Sequence, residues 1–105
     1  MNIEVSEFAQ RELDDAVIYY ELESHGLGRR FKDEVRKAIE RIKKYPTSWP
    51  PERGEVRKCF VPKFPYKVLY SIQRQNIIIL AIAHQHRKPG YWVDGIKREK
   101  GGADT

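Results

Sequence analysis

Apolar residues recur along this chain with two different periods, and the change of period divides it. From Glu7 to about Ser24 the apolar positions Ala9, Leu13, Ala16, Val17 and Tyr20 are separated by three or four residues. That spacing puts them on one face of a helix, with Arg11, Glu12, Asp14 and Asp15 turned elsewhere. Ser6 stands where a hydroxyl caps the first free amides. Leu27, Phe31, Val35, Ala38, Ile39, Ile42 and Tyr45 form a second helical stripe, and the remaining faces are almost wholly charged. Asp33 with Lys37, Arg36 with Glu40, and Glu40 with Lys44 are i,i+4 pairs worth about 0.2–0.5 kcal/mol each. Pro46 ends this helix, because it has no amide to donate and its ring clashes with the preceding turn. The short break at Ser24, His25 and Gly26 makes the two helices an αα-hairpin.

Beyond Pro46 the period shortens to two. Residues 46–54 read as a loop with three prolines and Trp49. Strands follow at Glu55–Val61, Tyr66–Gln73 and Ile77–His84, and Asn2–Val5 alternates as a short first strand. Ile77–His84 is apolar on both faces, as a central strand is, with His84 in phase with Ile78, Leu80 and Ile82. Arg74–Asn76 supplies a turn in which Asn76 accepts the left-handed conformation. Gln85–Trp92 is basic and aromatic, and Lys97–Thr105 reads as a frayed polar tail. The expected fold is α+β: a strand, a helical hairpin, then a three-strand meander. Together these form a twisted, mostly antiparallel sheet with two helices on one face, leaving a basic, partly aromatic surface on the other. One domain over residues 1–98 and a flexible tail over 99–105 are expected.

Charge narrows the partners. The formal net charge is +5, which favours a polyanion or an acidic protein segment. Cys59 is the single cysteine, so it forms no disulfide within the chain and reads as a small core residue. No leader pattern stands at the N-terminus, and the longest apolar run, Ile77–Ala83, is far short of the ~20 residues that span a bilayer. A cytoplasmic protein without a membrane partner is expected. His84 and His86 have no matching carboxylate or cysteine set, so no metal or cofactor is expected.

Several segments in this order resemble the RelE/ParE toxin superfamily, in its plasmid-stabilisation branch. They are Ala16-x-x-Tyr19-Tyr20, Gly28-x-x-Phe31-x-x-Glu34-Val35, Tyr45-Pro46 and Phe64-Pro65-Tyr66-Lys67-Val68-Leu69-Tyr70. Ile79-Leu80-Ala81-Ile82-Ala83-His84 and His86-Arg87-Lys88-Pro89-x-Tyr91-Trp92 complete the set, which spans residues 3–98. The resemblance implies the toxin of a type II toxin–antitoxin module, bound and blocked by a cognate antitoxin. RelE-like members cleave mRNA in the ribosome, whereas ParE-like members inhibit DNA gyrase and are not nucleases.

Cutting RNA without a metal requires a base for the 2′-hydroxyl, cations for the phosphorane and an acid for the leaving oxygen. By resemblance, Lys67, Arg87 and Tyr91 match the nuclease set, with Lys67 in place of an arginine that would clamp phosphate bidentately. His84 is a further acid or base candidate. Arg57, Lys58, Lys63, Arg74 and Lys88 are the cations assigned to nucleic acid, although Arg57 and Lys58 point to opposite faces of their strand. The reading therefore favours ribosome-dependent mRNA cleavage, which would make the chain a metal-independent endoribonuclease acting on ribosome and mRNA. A non-enzymatic gyrase inhibitor and an inactive antitoxin-binding member are the alternatives.

Overall fold

A computed structural model describes residues 1–88 and 90–101. The elements are β1 (Asn2–Val5), α1 (Glu7–Glu23), α2 (Leu27–Lys44), β2 (Pro51–Arg53), β3 (Val56–Val61), β4 (Tyr66–Gln73), β5 (Asn76–His84) and α3 (Trp92–Gly101). The strands form one sheet in the order β1-β5-β4-β3-β2. Only the β1–β5 pairing is parallel, and the rest are antiparallel. This is the expected α+β architecture, with β5 inside the sheet as its two apolar faces require.

The hairpin forms where the pattern placed it. Ser6 accepts the Ala9 amide at 3.0 Å and starts α1. Gly26 bridges the helices with φ +86, a conformation that glycine takes without a Cβ clash. A Cβ at Gly28 would meet the Val17 carbonyl oxygen at 2.5 Å, so a glycine is what lets α2 lie this close to α1. Phe31, Val35, Ala38 and Ile42 of α2 pack with Ala9 and Ala16 of α1 onto Cys59, Val61, Val68, Tyr70, Ile77, Ile79 and Ile82. Cys59 is thus a core residue. Of the charged pairs on α2, the structure makes the i,i+3 pairs Arg36–Asp33 and Lys37–Glu34 rather than the i,i+4 set.

Four features depart from the sequence reading. The 46–54 loop contains a fifth strand, β2, three residues long and headed by Pro51, which carries no alternation to reveal it. Residues 97–101 are helical in α3, not a frayed tail; residues 102–105 lie outside the described residues. The left-handed residue of the β4–β5 turn is Arg74 (φ 58), not Asn76.

The fourth departure is a register shift. Leu69 pairs with Ala81 but Tyr70 with Ile79, so Leu80 is an extra residue in β5. The bulge breaks the phase of β5. Ile77 and Ile79 share the helix-covered face with Ile82, while Ala81 and Ala83 turn to the opposite face. There Leu69, Ala81 and Ala83 are covered by Phe8, Val56, Tyr91 and Trp92. That face is therefore partly roofed by the C-terminal segment and is not an open basic surface. Among the described residues, no helix is long and apolar enough to cross a membrane.

Candidate functional site

The free edge of β5 brings three of the four candidate catalytic residues together. β1 accompanies β5 only from Asn76 to Ile79, because the chain then turns into α1. Side chains take over along that edge. The Ser6 hydroxyl donates to the Leu80 carbonyl at 3.1 Å, and the Ile82 amide donates to Oε1 of Glu12 at 2.8 Å. The other Glu12 oxygen accepts the Tyr91 hydroxyl. One carboxyl thus joins α1, the edge of β5 and the C-terminal segment.

The guanidinium of Arg87 lies 4.3 Å from the centroid of the Tyr91 ring, within cation–π range. His84 stands edge-on to Tyr66 with centroids 5.4 Å apart, and its Nδ1 accepts the His86 amide at 3.2 Å. Glu12, Asp15, Tyr19, Tyr66, His84 and Arg87 line a shallow cleft of about 340 Å³.

Electrostatics distinguishes Glu12 within this cluster. Burial pushes its carboxyl up to about 7, and the Tyr91 hydroxyl, the Ile82 amide and the Arg87 charge offset only part of that cost. Burial and the neighbouring Glu12 also drive the Tyr91 hydroxyl well above its ordinary value. The cleft can hold or release a proton near neutrality and offers one exposed guanidinium beside aromatic rings. Helical periodicity turns Glu12 away from the apolar face, whereas the fold brings its carboxyl to the edge of β5. Its only signal is its place beside Leu13 and one turn before Ala16, at the border of the apolar stripe.

Lys67 does not join this cluster. It is only 7% exposed, although the nuclease reading needs its ammonium open to a phosphate. Its Nζ donates to Glu52 Oε2 at 2.8 Å, and Lys58 Nζ lies 3.5 Å from Glu52 Oε1. The cause is β2, which brings Glu52 over the sheet face that carries both lysines. Burial alone would raise the Glu52 carboxyl. The hydrogen bond and charge of Lys67, with Lys58, more than offset it and hold the group below its ordinary value.

The other assigned cations are dispersed. Arg57 points to the helix-covered side and donates to the carbonyls of Trp49 (2.7 Å) and Thr47 (3.1 Å), so it pins the 46–54 segment. The opposite orientations read for Arg57 and Lys58 are as found. Lys63 and Arg74 are exposed at opposite ends of β4, Lys63 lying 3.6 Å from Glu34. Lys88 is exposed just beyond β5. Among the described residues no group of three or more His, Cys, Asp or Glu side chains could hold a metal ion.

Comparison with known proteins follows the fold. None of the curated proteins matches the chain. Among solved structures it resembles a chain of the chromosomal ParDE toxin–antitoxin system from P. aeruginosa, at 19% identity and a TM-score of 0.61. The match covers 80% of this chain and 95% of that one, and it shows a shared fold. The model of the ParE toxin of the type II toxin–antitoxin system parDE matches residues 3–89. The chain belongs to the ParE toxin family of type II toxin–antitoxin systems.

Proposed function

We propose that this toxin acts by binding a protein target, DNA gyrase, and not by cutting RNA. As a ParE-family toxin it is the toxic half of a type II module and has a cognate antitoxin. The observation that carries the gyrase reading is how the cations expected to clamp a phosphorane are engaged. Lys67 and Lys58 neutralise the buried Glu52, and Arg57 holds two backbone carbonyls. Freeing both lysines would strand a buried carboxylate, at a cost of about 3–5 kcal/mol. Arg87 alone remains beside Tyr91 and His84, and a single guanidinium is a weak substitute for a set of cations converging on one phosphate.

The competing reading, ribosome-dependent mRNA cleavage, draws on one observation. Glu12 exchanges a proton near neutrality beside Arg87 and His84, which suits an acid or base.

Two reactions separate the readings: supercoiling by purified gyrase, and translation in a reconstituted ribosome system with mapping of mRNA ends. Gyrase inhibition that survives Glu12→Gln and Arg87→Ala, with intact mRNA, is the expected result. New mRNA ends that vanish in those variants would replace the gyrase reading with cleavage. Activity in neither assay, with antitoxin binding retained, would mark an inactive member.

A further inference from the structure

The helical hairpin is a charge-matched surface whose two helices carry opposite charges that do not meet across the hairpin. α1 carries six carboxylates against one cation, Arg11, whereas α2 carries eight cations against three carboxylates. Yet no ion pair among the described residues joins α1 to α2. Apart from Glu12, bonded at the sheet edge, and Glu21, bonded in the turn, the excess on each helix is largely exposed. Glu7 and Asp14 stand seven residues apart on the exposed side of α1, and Arg29, Arg36 and Lys43 recur at the same interval on α2. Glu21, the next step on α1, turns its carboxylate into the hairpin turn, where it accepts the Gly26 and Gly28 amides. A seven-residue repeat keeps side chains on one flank, with rungs about 10.5 Å apart.

The two ladders are in register about the turn. Asp14 and Arg36 each lie eleven residues from His25, and Glu7 and Lys43 eighteen. The exception matches as well: Arg11, the lone cation of α1, is fourteen residues from His25, and Glu40 is fifteen. Ile18 and Leu22, 58% and 84% exposed, add apolar surface to the same side of α1.

We propose that this hairpin face is an interface between two copies of the chain. A two-fold axis parallel to the helices and midway between them sets α1 of each copy antiparallel on α2 of the other. Every acidic rung then faces a basic rung, Arg11 faces Glu40, and both halves of the contact are identical, as an isologous interface requires. Ile18 and Leu22 rest on the aliphatic stems of the partner copy's arginines and lysines.

Two helices about 26 Å long and each about 10 Å wide offer about 500 Å² per copy. The total of about 1,000 Å² is at the small end for a specific contact, so the dimer is weak, reversible and salt-sensitive. A lipid surface fits less well, since the outward side of α2 carries no apolar row to insert. The interface is independent of which target the toxin inhibits.

Sedimentation velocity on the full chain, freed of antitoxin, tests this at about 20 mM and about 500 mM salt. A dimer at low salt that becomes a monomer at high salt is expected. The variants Glu7→Lys/Asp14→Lys and Arg36→Glu/Lys43→Glu should each remain monomeric, with helical content unchanged by circular dichroism. Their equimolar mixture should dimerise at least as well as the wild type, because both halves of the contact become complementary again. If charge reversal disturbs folding, the neutral changes Asp14→Asn and Arg36→Gln serve instead, each lowering dimer affinity several-fold. A wild type that stays monomeric at low salt, reversed variants that still dimerise, or a mixture that stays monomeric would each overturn the proposal. A monomeric wild type that binds a labelled DNA duplex through α2 would overturn it in favour of a polyanion.

Discussion

Glu12 and Glu52 are both carboxylates drawn out of water, and the fold treats them in opposite ways. Glu52 meets two ammonium groups, so its charge is retained and the group stays acidic. Glu12 meets an amide and a hydroxyl, with a guanidinium farther off, and its carboxyl rises to about 7. Burial is the largest single cause at both sites. The difference lies in whether a full opposite charge lies within hydrogen-bonding reach. One site is a structural clamp, whereas the other is poised to exchange a proton at the sheet edge.

Removing the Glu52 carboxylate is expected to have the largest effect. Glu52→Ala leaves the Lys67 ammonium buried without a counter-charge, and urea denaturation should show a loss of about 3–5 kcal/mol. Glu52→Met/Lys67→Met should recover most of that loss, since two apolar side chains replace two mutually dependent charges. A double variant as unstable as the single one would mean that the pair is more than an internal clamp.

At Glu12 the signature is pH dependence. The unfolded chain releases this proton near 4.5 and the folded chain near 7, so the folded state binds more protons between those values. Stability therefore falls as pH rises through that window, by about 2 kcal/mol after allowing for partial exposure. Glu12→Gln keeps an acceptor for the Ile82 amide and should flatten this slope in denaturant melts at pH 5, 6, 7 and 8. An unchanged slope would assign the dependence to another group.

Tyr91→Phe is expected to cost about 1 kcal/mol as one hydrogen bond is lost. It should also move the Glu12 window to higher pH, because the hydroxyl that favours the ionised form has gone. Nuclear magnetic resonance titration of the Glu12 carboxyl reads this directly, and a downward move would contradict the geometry.

The smallest effect lies away from both carboxylates. Arg74→Gly relieves a left-handed arginine in the β4–β5 turn and should raise the melting temperature slightly, for a gain of about 0.5 kcal/mol. No change in the pH profile should accompany it.

Legibility in the sequence followed the range of the interactions. The hairpin, the N-cap at Ser6, the stop at Pro46 and the central character of β5 were readable, because each depends on neighbours within a turn or on strand alternation. β2 was not, since three residues headed by a proline form a strand only when β3 is there to pair with. Without β2 in the pattern, nothing in the sequence brings Glu52 to Lys67, and the lysine reads as a cation free for phosphate. Resemblance points to Arg87 and Tyr91, and histidine proton chemistry adds His84, but the carboxylate that ties Tyr91 to the edge of β5 lies on α1, some 70 residues away in sequence.

What the sequence determined by itself was the order and type of the main elements, the core stripes and the family. Apolar periodicity and turn chemistry act locally and survive any arrangement of the rest. The tertiary structure alone decided which charges are neutralised and which proton is held. Desolvation and pairing depend on separations of a few ångströms between residues far apart in the chain. The Leu80 bulge, the early end of β1 and the placement of β2 set those separations.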